Sequence, residues 1–99
     1  MALTDESLSE MSLPPAPTWF IYIVRCADDT LYTGITTDLE RRITEHNTDK
    51  KGAKYTRARR PVELVYHEPL DNRSEASIRE SEIKKLTSEK KRQLISNSI

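Results

Sequence analysis

The sequence predicts a small α/β domain: a three-stranded, mainly antiparallel sheet flanked by helices, in the order β-β-α-loop-β-α-α. Three observations carry this. Residues 19–25 and 30–36 are rich in aromatic and β-branched side chains and are separated by Ala27-Asp28-Asp29, a turn-forming tripeptide. Two later segments place apolar residues at helical spacing behind capping residues. The length, 99 residues, is enough for one core and not two.

Each element has its own signal. Trp19–Arg25 begins with six continuous apolar residues and reads as the first strand, and Thr30–Thr36 reads as the second. Thr37 opens a helix: Thr37-x-x-Glu40 has the form of a capping box, and Leu39, Ile43 and His46 share one stripe. The run from Lys50 to Arg60 holds six basic residues and no acidic one, and reads as a loop. Val62–His67, opened by Pro61, is the third strand. Ser74 opens a second helix whose inner face carries Ala76, Ile83 and Leu86. Thr87 or Ser88 caps a short third helix ending near Ile95.

Composition bounds the function. Lys and Arg total 16, as do Asp and Glu. Residues 1–18 hold Asp5, Glu6 and Glu10, no Lys or Arg, and Pro14, Pro15 and Pro17; they read as a disordered leader. The domain is expected over 19–99, where the 16 basic residues face 13 acidic ones. The apolar run is far short of the roughly 20 residues a membrane helix needs. No secretory signal is visible. Cys26 is the only cysteine, which rules out an internal disulfide and a multi-cysteine zinc site and fits a reduced, cytoplasmic setting.

The spacing brings particular side chains together. A three-residue turn over 27–29 sets Cys26 opposite Thr30, Val24 opposite Tyr32 and Tyr22 opposite Gly34. Tyr22 and Tyr32 then share one face within mutual reach. Glycine opposite Tyr22 leaves that face open and marks close approach by a ligand or another backbone. Arg42 and His46, four apart, project from the same side of the first helix. Glu80 falls beside Ala76, Ile83 and Thr87, on the face that meets the sheet. A carboxylate there is costly unless paired. Arg42 is one candidate partner; a divalent cation is the other, since one carboxylate with waters and substrate phosphates is a normal way to hold Mg²⁺. In the basic run, Lys54, Arg57, Arg59 and Arg60 attract phosphates, while Tyr55 and Thr56 supply stacking and hydroxyl contacts. A second basic cluster, Lys84, Lys85, Lys90, Lys91 and Arg92, faces Glu89 alone.

Phe20-Ile21-Tyr22 followed by Tyr32-Thr33-Gly34 resembles the paired tripeptides that name the GIY-YIG nuclease superfamily. The similarity runs on through Thr36-Thr37-Asp38-Leu39-Glu40-Arg41-Arg42 to His46 and the helix bearing Glu80. Lys51-Gly52-Ala53-Lys54-Tyr55-Thr56-Arg57 and Ile83-Lys84-Lys85-Leu86-Thr87 look like the small stand-alone bacterial, YhbQ-like members. Two positions depart from the motif: Phe20 stands at the first glycine and Thr33 at the middle of the second tripeptide.

The resemblance implies an Mg²⁺-dependent (or Mn²⁺-dependent) endonuclease hydrolysing DNA phosphodiester bonds, in DNA repair or processing, with RNA left open as a substrate. It implies catalytic roles for Tyr22, Tyr32, Arg42, His46 and Glu80, with Glu80 holding one metal ion. The motif glycine is matched by Gly34, expected with Lys54, Tyr55, Thr56, Arg57, Arg59 and Arg60 on the substrate side. Because these members carry no DNA-targeting domain, a protein partner is expected to supply targeting. Two other classes compete: a non-catalytic or accessory nucleic-acid-binding module of the same fold, and a protein-interaction module using the leader or the last helix. No membrane association is expected.

Overall fold

The computed structural model describes residues 17–48 and 51–97. The expected leader lies outside the described residues except for Pro17 and Thr18, and so does Lys50 of the basic run. Strands β1 (Trp19–Arg25) and β2 (Leu31–Thr36) form the hairpin that the turn composition predicts. The Asp29 N–H donates to the Cys26 carbonyl at 2.9 Å, and the Cys26 N–H donates to the Thr30 carbonyl at 2.8 Å. Asp29 takes φ 68°, the left-handed conformation that a three-residue hairpin loop needs at its last position. The resulting register pairs Tyr22 with Gly34 and Val24 with Tyr32, as expected.

β3 (Glu63–Leu70) pairs antiparallel with the other edge of β1, so the sheet order is β2-β1-β3. β3 runs past the expected His67 to Leu70. A register shift between Ile23 and Val24 leaves Val65 as the extra residue. The central strand is buried on both faces, which is why its sequence is continuously apolar. Ile21 and Ile23 pack with Ile83, Leu94 and Ile95 from the last two helices. Tyr22 and Val24 pack on the opposite face with Cys26, Val62, Leu39 and Ile43.

Four helices complete the described chain: α1 (Leu39–Thr48), α2 (Lys54–Arg57), α3 (Arg73–Lys84) and α4 (Ser88–Asn97). Three expectations are corrected. Asp38, not Thr37, caps α1: its Oδ1 accepts the Arg41 N–H at 3.0 Å, while Thr36 Oγ1 holds the Asp38 N–H at 3.1 Å. Asn72, not Ser74, caps α3 by accepting the Glu75 N–H at 2.9 Å, so that helix begins earlier. The basic run is not all loop: the Ala53 carbonyl accepts the Thr56 and Arg57 amides and closes one helical turn. Thr87 caps α4 by accepting the Lys90 N–H at 3.2 Å, as expected.

Gly52 seats the basic segment on α1. A Cβ there would lie 2.6 Å from the Glu45 carbonyl oxygen and 2.9 Å from His46 Cα, both backbone atoms that cannot swing aside. Gly52→Ala is therefore expected to lower unfolding free energy by about 1–3 kcal/mol, the usual cost of overpacking. Urea unfolding of the two proteins measures it.

Candidate active site

The site is organised around one phenol. Tyr22 comes from the middle of β1 and is 1% exposed. Its ring lies across β2 at Gly34, where an added Cβ would sit 2.5 Å from Tyr22 Oη and 2.7 Å from Cζ. The space above Gly34 is thus filled by Tyr22 itself. The sequence reading that glycine leaves this face open over the tyrosine is corrected: the close approach comes from the protein's own ring.

Tyr22 Oη is 2.7 Å from His46 Nε2. His46, on α1, is fully buried. Its Nδ1 lies 2.9 Å from Thr56 Oγ1 and accepts the Ala53 N–H at 3.3 Å. Burial, with the positive charges of Arg42 and Arg60, pushes the imidazole down to about 4, so the ring is neutral at pH 7. Burial pushes the Tyr22 phenol up to about 12. Arg42 pulls it back, and the negative charges of Tyr32 and Glu80 would push it higher.

Arg42 is one helical turn before His46, a quarter exposed, and donates to Glu45 at 2.9 Å and to the Lys51 carbonyl at 2.8 Å. Desolvation works against its charge, but Glu45 and Tyr22 outweigh it. Arg42 therefore does not pair with Glu80. Glu80 instead meets Lys84 of its own helix at 3.2 Å and keeps 24% of its side chain exposed. Tyr32 packs edge-on to His46 with centroids 5.5 Å apart and stacks on Tyr55 at 5.8 Å.

The basic segment divides its work. Lys54 and Arg57 are exposed. Tyr55 is 37% exposed and lies under the Arg59 guanidinium, 3.9 Å from its ring centroid. Arg59 also binds Asp28 at 3.0 Å and the Tyr55 carbonyl at 2.8 Å. Arg60 donates to the His46 carbonyl at 2.5 Å, closing the end of α1. Thr56 is fully buried. Thr56, expected to meet substrate phosphates, is committed to the protein interior, and Arg60, expected to do the same, is half-buried against the end of α1. In the second basic cluster, Lys84 and Arg92 are paired with Glu80 and Asp29, leaving Lys85 and Lys90 exposed.

Sequence reasoning missed Glu45 as the partner of Arg42 and the Ala53 amide as a partner of His46. Gly52, isolated between Lys51 and Ala53, is the signal that could have found the second, since it permits the close backbone approach there.

Among the described residues, no three His, Cys, Asp or Glu side chains cluster to cage a metal. A single partly exposed carboxylate suits Mg²⁺ or Mn²⁺, which keep waters and accept phosphate oxygens.

A family model described as the GIY-YIG catalytic domain matches residues 18–93. The chain belongs to the GIY-YIG family. Its relatives are the UPF0213 proteins, small stand-alone members of the YhbQ-like kind. It is 63% identical over 82 residues to UPF0213 protein DP2720 of Desulfotalea psychrophila, covering 83% of this chain and 74% of that one. It is 60% identical over 75 residues to a UPF0213 protein of Haloquadratum walsbyi, covering 76% and 83%. The solution NMR structure of UPF0213 protein BH0048 from Bacillus halodurans is 46% identical, covers 80% of this chain and 83% of that one, and superposes with a TM-score of 0.52. No helix among the described residues is long and apolar enough to cross a membrane.

The His46 shift fixes a pH dependence. An unfolded histidine titrates near 6.5 and the folded one near 4, so the unfolded chain binds more protons between those values. The stabilisation is complete above pH 6.5 and is lost as pH falls toward 4, by roughly 3 kcal/mol. Urea unfolding at pH 7, 5.5 and 4 should show this loss in the natural protein and a smaller one in His46→Gln.

Proposed function

We propose that the protein is a metal-dependent endonuclease that hydrolyses DNA phosphodiester bonds. The observation that carries this reading is the convergence on one buried phenol. His46 bonds to Tyr22, and Arg42, Tyr32 and Glu80 all bear electrostatically on it. GIY-YIG membership implies a nucleic-acid substrate and agrees with that arrangement.

In this mechanism Tyr22 accepts or relays a proton of the attacking water. The phenol is neutral at pH 7 in the free protein, so its basicity depends on cationic charge, which Arg42 already supplies in part. Arg42 has further guanidinium N–H groups to offer the charge that develops on the phosphorane. Tyr32 and His46 hold the Tyr22 ring in place from within the protein. A Mg²⁺ or Mn²⁺ ion held by Glu80 would stabilise the leaving oxygen. Lys54 and Arg57, exposed on α2, contact flanking phosphates and give affinity without sequence choice. The reading extends to a separate protein partner for targeting and to DNA repair or processing intermediates as substrates, met in the cytoplasm.

The raised Tyr22 phenol favours a second reading, a non-catalytic nucleic-acid-binding module of the same fold. Cleavage separates the two. Purified protein is assayed on branched, nicked, single-stranded and duplex DNA and on RNA, with and without Mg²⁺. Mg²⁺-dependent cleavage of at least one DNA substrate is expected. Glu80→Gln keeps the shape but loses the charge a hard cation requires, so it should abolish cleavage while DNA affinity and melting temperature hold. Binding without cleavage of any substrate would establish the module reading instead. A Glu80→Gln protein that cleaves normally would end the metal-ligand assignment.

A further inference from the structure

We propose that Thr56 is a positioning residue: with the Ala53 amide it fixes the tautomer of His46, so that Nε2 carries the ring proton and donates it to Tyr22 Oη. In this state His46 is a hydrogen-bond donor to the phenol and not the group that removes its proton.

A neutral imidazole has one ring proton to place, and its neighbours decide where it goes. The Ala53 N–H lies on Nδ1 at 3.3 Å, and a backbone amide can only donate. Thr56 Oγ1 lies 2.9 Å from the same nitrogen. The same hydroxyl is also placed to donate to the Ala53 carbonyl at 2.9 Å, an oxygen that accepts the Thr56 and Arg57 amides at 3.1 and 3.2 Å as well. Because the Ala53 N–H already makes Nδ1 an acceptor, the 2.9 Å contact between Nδ1 and Oγ1 is attractive only when the Thr56 hydroxyl donates to Nδ1. Two donors thus converge on Nδ1, which must be unprotonated, and the ring proton sits on Nε2, 2.7 Å from the phenol oxygen.

The consequence is directional. Tyr22 Oη receives a hydrogen bond from behind, which favours its ionised form. Its own O–H then points away from His46. The opposite tautomer would run a proton chain from Tyr22 through His46 to Thr56 and make His46 the acceptor. Gly52 and α2 exist in this geometry to bring the two donors to a ring that would otherwise be free to take either form.

The activity arm of the test rests on the nuclease reading; the spectroscopic arm does not. Long-range ¹H–¹⁵N correlation on ¹⁵N-histidine protein at pH 7 reads the tautomer, with His67→Asn assigning the two rings. The expected His46 pattern is an unprotonated Nδ1 and a protonated Nε2. A protonated Nδ1 overturns the proposal, whether or not the protein cleaves DNA. Thr56→Val removes one donor and should shift His46 toward a mixture of tautomers, with cleavage falling roughly tenfold or more, as for other imidazoles given the wrong tautomer. Thr56→Ser should restore both readouts. If Thr56→Val does not fold, the natural-protein spectrum and Thr56→Ser still decide the matter: a Thr56→Ser spectrum unlike the natural one overturns the role of the hydroxyl. An unchanged tautomer in folded Thr56→Val does the same.

Discussion

A histidine with no solvent at all is the constraint on which the rest of this structure depends. His46 is fully buried and has two polar ring atoms, each of which costs free energy unless it finds a partner. One partner comes from the central strand, as Tyr22; the others come from the basic segment, as Thr56 and the Ala53 amide. Satisfying the ring therefore draws three parts of the chain together. It also explains both glycines of the sequence. Gly34 clears the volume that the Tyr22 ring fills, and Gly52 lets the basic segment close on the helix that carries His46. Arg60 then caps the carbonyl of His46 itself. A buried polar network of this kind, with every member partnered, specifies one arrangement of its surroundings.

The same constraint sorts the positive charge. Of the six basic residues between 50 and 60, Arg59 and Arg60 turn back onto the protein, while Lys54 and Arg57 face solvent. Arg59 ties the one-turn helix to the first hairpin through Asp28 and through the Ala27 amide, which donates to the Arg59 carbonyl at 2.9 Å. The Tyr32–Tyr55–Arg59 stack continues that tie outward from the phenol. A composition that suggested a floppy phosphate-binding loop instead builds one wall of the site, with fewer cations left to meet a ligand. The unpaired work of charge neutralisation at Tyr22 falls to Arg42, which burial of the phenol at present outweighs.

Much of this was legible in the sequence, because the signals were local. The tripeptide turn sets the β1–β2 register, and that register alone places Tyr22 opposite Gly34 and beside Tyr32. Helical spacing places His46 inward and Arg42 beside it. What was not legible depended on which of several similar acceptors wins. Thr37, Asp38 and Thr36 all carry capping oxygens, and only three-dimensional closure gives the helix to Asp38. Arg42 was matched only with Glu80; Glu45, on its own helix, takes it instead, because three residues of helix bring them together at no extra ordering cost. Thr56 sits in a run whose charge dominates any reading, so its burial left no trace in composition.

Tyr22 and Thr56 belong to one network through His46, which stands between them. A double-mutant cycle measures that directly. Tyr22→Phe, Thr56→Val and the double variant are compared with the natural protein by urea unfolding at pH 7. Residues joined through a shared buried partner should show a coupling free energy of about 1 kcal/mol or more. Effects that add to within about 0.5 kcal/mol, the behaviour of independent sites, would contradict the account.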